Sequence, residues 1–217
     1  MVSYWHCCQV CLTIFRESLV RFRCQECGKA LIKGHHCDDC YTIFRPIWRS
    51  CYCPFWYQGS LKNHIIQAKS SNRGLCIIRT LCQAYLGYMT HSSQVPLIPH
   101  DDVLVVAVPM HWKKVLQRGY NHAAVAAKVF SNNLGVPCAL GGLVRTKAGM
   151  DQKTLDKHSR SDNVSTVFQA REYYVTSKTI WLVDDVLTTF ATVNACTRAL
   201  LDAGAKEVHV LAFAQTP

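Results

Sequence analysis

WLVDDVLTTFAT, residues 181–192, decides how the chain folds. The apolar run from Thr179 to Val183 reads as a strand, two adjacent acids follow it, and a loop of hydroxyls leads into ATVNACTRALLDAG, a helix ended by Gly204. VHVLAFA, residues 208–214, is another strand. Strand, helix and strand in that order predict a parallel sheet with right-handed crossovers.

Working outward, the same step occurs upstream. VLVVAV at 103–108 reads as a buried strand stopped by Pro109, and GYNHAAVAAKVFSNNLG as a helix capped by Asn121 and closed by Gly135. Before it, YQGSLKNHIIQAK and CIIRTLCQAYLGYM carry helical spacing on either side of an SSNRG break. Residues 145–168 are long, polar and weakly periodic, the pattern of a lid or a binding loop.

Open parallel sheets bind ligands at the carboxyl ends of their strands, where helix N-termini offer free N–H groups to phosphate. Asp184 and Asp185 stand at such an end, and Thr188, Thr189 and Thr192 surround the next helix start. Hydroxyls there can donate to phosphate oxygens, while carboxylates can accept from sugar hydroxyls or lie near Mg²⁺. On these residues alone a helix cap following a turn is an equal alternative.

Thirteen cysteines are an odd number, and six of them fall in C-x-x-C pairs. Cys24, Cys27, Cys37 and Cys40 form a C-x2-C-x9-C-x2-C array that suits a closed, structural Zn²⁺ site, with Gly28 in the turn. Cys8 and Cys11 form a third pair that could replace one of these, and His35 and His36 are lesser substitutes. Cys51, Cys53, Cys76, Cys82, Cys138 and Cys196 are expected to pack as small apolar residues. The expected division is a cysteine-rich, zinc-ribbon-like head over 1–55 and an α/β domain over 56–217.

The 217 residues are 49% apolar and carry a formal net charge of +10, enough apolar content for a globular core. No apolar run is long enough to span a bilayer and the first residues lack a secretory pattern, so a soluble cytoplasmic protein is expected, not an integral membrane protein. Between Cys40 and His100 there are six Lys or Arg and no acid. Arg45, Arg49, Lys62 and Lys69, interleaved with Trp48, Phe55, Trp56 and other rings, could track a single-stranded nucleic acid. The alternative is that the rings pack the head against its neighbour.

LVDDVLTTFAT resembles the phosphoribosyl-pyrophosphate motif of type I phosphoribosyltransferases, in which an apolar run and two acids precede a Thr-Thr-Gly-Ala/Ser-Thr loop. VPMHWKKVLQRGYNHA, followed by Arg145, Gln152, Leu155, Arg160, Asn163 and Phe168 in order, is similar to the ComF/GntX family of competence-related, phosphoribosyltransferase-like proteins. That resemblance spans nearly the whole chain, the cysteine head included. It implies a type I phosphoribosyltransferase-like parallel sheet flanked by helices, with Asp184 and Asp185 at a ribose diol. Leu187, Thr188, Thr189, Phe190, Ala191 and Thr192 would cradle the 5′-phosphate, and Arg118, Gln152 and Arg160 the pyrophosphate end. Phosphoribosyl pyrophosphate with Mg²⁺ would be the ligand, and displacement of pyrophosphate the reaction. The family is associated with natural transformation, which implies single-stranded DNA and DNA-uptake helicase or channel proteins as partners, met at the inner face of the membrane.

Three positions depart from the family pattern. Tyr120 and His122 stand where it has Phe and Gln, with His122 expected to face solvent, and Phe190 replaces the loop Gly. Gly permits positive φ and close approach to phosphate, so a positive φ at Phe190 would cost about 1–3 kcal/mol. The expectation is therefore a competence protein whose pocket has weakened or lost turnover; the alternative is an active phosphoribosyltransferase with an unidentified acceptor. Lys113 and Lys114 are expected to be surface charges.

Overall fold

The structure is a computed structural model, and it describes residues 8–34, 36–42, 45–70, 74–91, 102–146 and 167–217. In chain order the elements are α1 (Gln9–Ser18), β1 (Phe22–Arg23), β2 (Ala30–Leu31), α2 (Asp39–Thr42), β3 (Ser50–Tyr52) and β4 (Phe55–Trp56). The pair α3 (Gly59–Ser70) and α4 (Gly74–His91) follows, then β5 (Val103–Ala107), α5 (Trp112–Arg118), α6 (His122–Leu134) and β6 (Leu143–Arg145). The chain closes with β7 (Phe168–Ala170), α7 (Glu172–Val175), β8 (Thr179–Leu187), α8 (Ala191–Asp202) and β9 (Glu207–Gln215).

The main sheet runs β3-β9-β8-β5, with β4 also on β9, and every pairing in it is parallel. Helices lie on both faces, the α/β arrangement expected. The faces follow strand alternation: Val103, Val105, Ala107, Trp181 and Val183 join one core with α3, α4 and α6. Leu104, Val106, Ile180, Leu182 and Val210 join the other, under α8. Asn121 caps α6 as expected, accepting from Ala123 N–H, and its Nδ2 also donates to the carbonyl of Val108 at 2.9 Å. That second bond ties the helix start to the exit of β5.

Three features differ from the sequence expectation. First, β8 does not stop at Val183 but runs through the acids to Leu187, because β9 continues beside it and pairs Asp184 with Ala212 and Leu187 with Gln215. β5 reaches only as far as Val183, so the acids project past its carboxyl end. Second, residues 9–18 form a helix whose Ile14 and Phe15 enter the same core as α3. Residue 55, the expected boundary, is the first residue of β4, which pairs with β9 as β3 does. Third, among the remaining cysteines Cys51, Cys53, Cys82 and Cys196 are buried as expected, but Cys76 is exposed because it falls on the outer face of α4.

Candidate functional site

Two sites are built from the residues singled out above. In the head, Cys24, Cys27, Cys37 and Cys40 are all buried and their ligand atoms lie within 4.8 Å of one another. The Sγ–Sγ separations are 3.6 Å for Cys24–Cys40, 3.6 Å for Cys27–Cys37 and 3.4 Å for Cys37–Cys40. A tetrahedron with Zn–S bonds near 2.3 Å requires roughly 3.8 Å, so the thiols need only slight expansion to take Zn²⁺. Cys27's hydrogen bond holds the Cys24 thiol well below its ordinary value. Cys8 sits exposed at the start of α1, 3.6 Å from Cys11, apart from this group. His35 lies outside the described residues.

The second site is a cleft of about 280 Å³ beyond the end of β5. Its lining brings together Asp184, Asp185 and Thr192 with Lys69, Lys114, Arg118, Arg145 and Asn121. Strand alternation sends the two acids in opposite directions. Asp185 turns toward α3, where Lys69 Nζ lies 2.6 Å from its Oδ2. Asp184 turns toward α8, and its Oδ1 accepts from the backbone N–H of Asp185 at 2.8 Å. Burial, with the Asp185 charge second, pushes the Asp184 carboxyl up to about 8.

This arrangement suits Mg²⁺ poorly, since the ion needs near-octahedral oxygen ligands and Asp185 is already held by an ammonium. The donor set fits a lysine. The four cations exceed the two acids, so the cleft favours an anion with hydroxyls, as a sugar phosphate is.

The expected residues are placed unevenly. Arg118 and Thr192 line the cleft, as does Lys114, which is exposed as expected and lies one helical turn before Arg118 on α5. Thr188, Thr189 and Ala191 are exposed around the α8 start. Leu187 is a core residue whose carbonyl accepts from Thr216 N–H. Gln152 and Arg160 lie outside the described residues. Arg145 joins the cleft without having been assigned to it; its place at the start of the long polar segment was the available signal. His122 is 1% exposed, not solvent-facing, because the start of α6 packs under α3.

Phe190 has φ 57° and ψ −7°, the left-handed region that a Gly would occupy without strain. Its ring packs on Trp48 with centroids 5.8 Å apart. Trp48 is buried, and its Nε1 donates to the carbonyl of Glu26, between the two cysteines of the first knuckle. One ring stack thus joins the loop before α8 to the thiol cluster.

Of the proposed nucleic-acid contacts, Arg45, Arg49 and Lys62 are exposed, whereas Lys69 is committed to the cleft. Trp48 and Phe55 are packed in the cores rather than open for stacking. Among the described residues no helix is long and apolar enough to cross a membrane.

The chain is 27% identical over 216 residues to the DNA utilization protein YhgH of Escherichia coli (strain K12), covering 99% of this chain and 92% of that protein. It is also 27% identical over 200 residues to Competence protein F of Haemophilus influenzae, covering 88% and 84%. The chain is a homologue of these DNA-utilization and competence proteins. This agrees with the ComF/GntX resemblance read from its motifs, and it extends that likeness to both ends. No family model matches the chain. Among solved structures, the glutamine phosphoribosylpyrophosphate amidotransferase of B. subtilis aligns at TM-score 0.46 and 20% identity, over 68% of this chain and 30% of that one. The phosphoribosylpyrophosphate synthetase of Mycobacterium smegmatis aligns at TM-score 0.37 and 18% identity, over 67% and 38%. The chain spans well under half the length of either solved chain.

Proposed function

We propose that this protein serves DNA uptake or use, as the names of its relatives do, and that its cleft is a pocket for phosphoribosyl pyrophosphate or a related sugar phosphate with weakened or lost turnover. The observation that carries the pocket is the meeting of Asp184, Asp185, Thr192, Arg118, Lys114 and Arg145 around one cleft at a parallel-sheet edge. Carboxylates can accept from a ribose diol, the N–H groups opening α8 can receive a phosphate, and the arginines can hold a second anionic group. The weakened turnover rests on Phe190, whose left-handed backbone is maintained by its Trp48 stack at a strain cost of about 1–3 kcal/mol.

The test is a titration with phosphoribosyl pyrophosphate followed by melting temperature, for wild type, Phe190→Gly and an Asp184→Asn/Asp185→Asn double variant. Saturable stabilisation in wild type, absent in the double variant, is expected, together with no steady-state pyrophosphate release in the presence of bases. Sustained release would establish the alternative, an active phosphoribosyltransferase. Stabilisation in neither wild type nor Phe190→Gly would end the pocket reading.

Single-stranded DNA is the proposed macromolecular partner, held through Arg45, Arg49 and Lys62, with uptake helicase or channel proteins as its source. Fluorescence anisotropy of a labelled oligonucleotide at low salt checks this, and replacing the three cations should flatten the salt dependence by roughly 2–3 in slope. Undetectable binding at low salt would remove the partner.

A further inference from the structure

Lys69 is presented to the acid pair by more than its own helix. The carbonyl of Ala68, its neighbour, accepts from Tyr120 Oη at 3.0 Å and from His122 Nε2 at 2.9 Å. His122 is buried and its Nδ1 has no hydrogen-bond partner, so the ring is committed to that one bond. Gly74, which opens α4, packs into the same joint: a Cβ there would lie 1.9 Å from Tyr120 Oη and 2.3 Å from the Ala68 carbonyl oxygen. Tyr120 and His122 are two of the three positions at which the chain departs from its family's pattern. Both departures supply donors to one carbonyl, and that carbonyl precedes the lysine that reaches Asp185.

An ammonium at hydrogen-bond distance neutralises a carboxylate as a bound cation does, but it brings donors in place of coordination sites. A divalent ion joining Asp185 would have to expel it. We infer that Lys69 is the resident cation of the acid pair: it holds the place beside Asp185 that a divalent ion would need, so the cleft takes a pentose phosphate without metal. The second half of this inference rests on the sugar-phosphate reading of the cleft; the first half does not.

The test uses the full chain with its head metal-loaded. Mn²⁺ is titrated without any sugar phosphate and followed by electron paramagnetic resonance. Wild type should leave Mn²⁺ free, Lys69→Met should capture one equivalent, and Lys69→Met/Asp185→Asn should release it again. Ribose 5-phosphate is then titrated calorimetrically with and without Mg²⁺. Wild type should bind it alike in both conditions, whereas Lys69→Met should lose about tenfold or more without Mg²⁺ and recover with it. Mn²⁺ capture by wild type, no capture by Lys69→Met, or wild-type binding that requires Mg²⁺ would each overturn the inference. Failure of every form to bind ribose 5-phosphate under either condition would instead sink the pocket reading, leaving the Mn²⁺ result to decide the place of Lys69.

Discussion

The thiol cluster and the acid cleft are opposite kinds of site. All four thiols come from residues 24–40, lie buried, and leave no open coordination position. The cleft draws Lys69 from α3, Lys114 and Arg118 from α5, Arg145 from β6 and the acids from β8, and it stays open on one side. A site made of short-range spacing can be read from spacing; a site made of long-range packing needs the packing. Trp48 bridges the two, hydrogen-bonded to the knuckle and stacked on Phe190 in the loop before α8.

The largest effect should come from breaking the closed site. Cys24→Ser should abolish stoichiometric zinc and unfold the head, since structural zinc contributes on the order of 10–16 kcal/mol of apparent binding free energy. Cys8→Ser/Cys11→Ser should leave zinc content unchanged; elemental analysis with circular dichroism separates the two. Loss of metal in the Cys8/Cys11 variant would show that the third pair belongs to the site.

Trp48→Ala should cost about 3–5 kcal/mol, the range for deleting a buried aromatic, read by denaturant unfolding. A cost near that of an exposed residue would mean that the two regions are not joined through it.

The acid cleft should show itself through pH. A carboxyl whose folded-state value is raised from about 3.9 to about 8 keeps its proton in the fold while the unfolded chain releases it. Stability from this group therefore declines as pH rises between those values. Asp184→Asn, a neutral mimic of the protonated acid, should gain in melting temperature relative to wild type from about pH 5 to pH 8, by roughly 2–4 °C per kcal/mol relieved. A difference independent of pH would remove the raised acid.

The smallest effect tests the bridge. A double-mutant cycle of Trp48→Ala with Phe190→Gly should return a coupling of about 0.5–1.5 kcal/mol, the worth of an aromatic pair beyond its burial. Additive losses would mean that Phe190 carries strain with no compensating contact.

Much of this was legible in the chain. The strand at 103–107, the helix between Asn121 and Gly135 and the helix ended near Gly204 follow from apolar period and capping, which are local. The knuckle spacing likewise pointed to the four thiols that converge. The α1 helix has no side-chain cap to mark its start, and the length of β8 depends on its partner.

The parallel α/β order, the C-x2-C knuckles and the acid pair beside a hydroxyl loop are each encoded by residues a few positions apart. Packing alone extends β8 through Asp184 and Asp185, brings Lys69 from more than a hundred residues upstream, and leans Phe190 on Trp48. Those relations depend on which elements stack on which face of the sheet, and no local period or propensity records that.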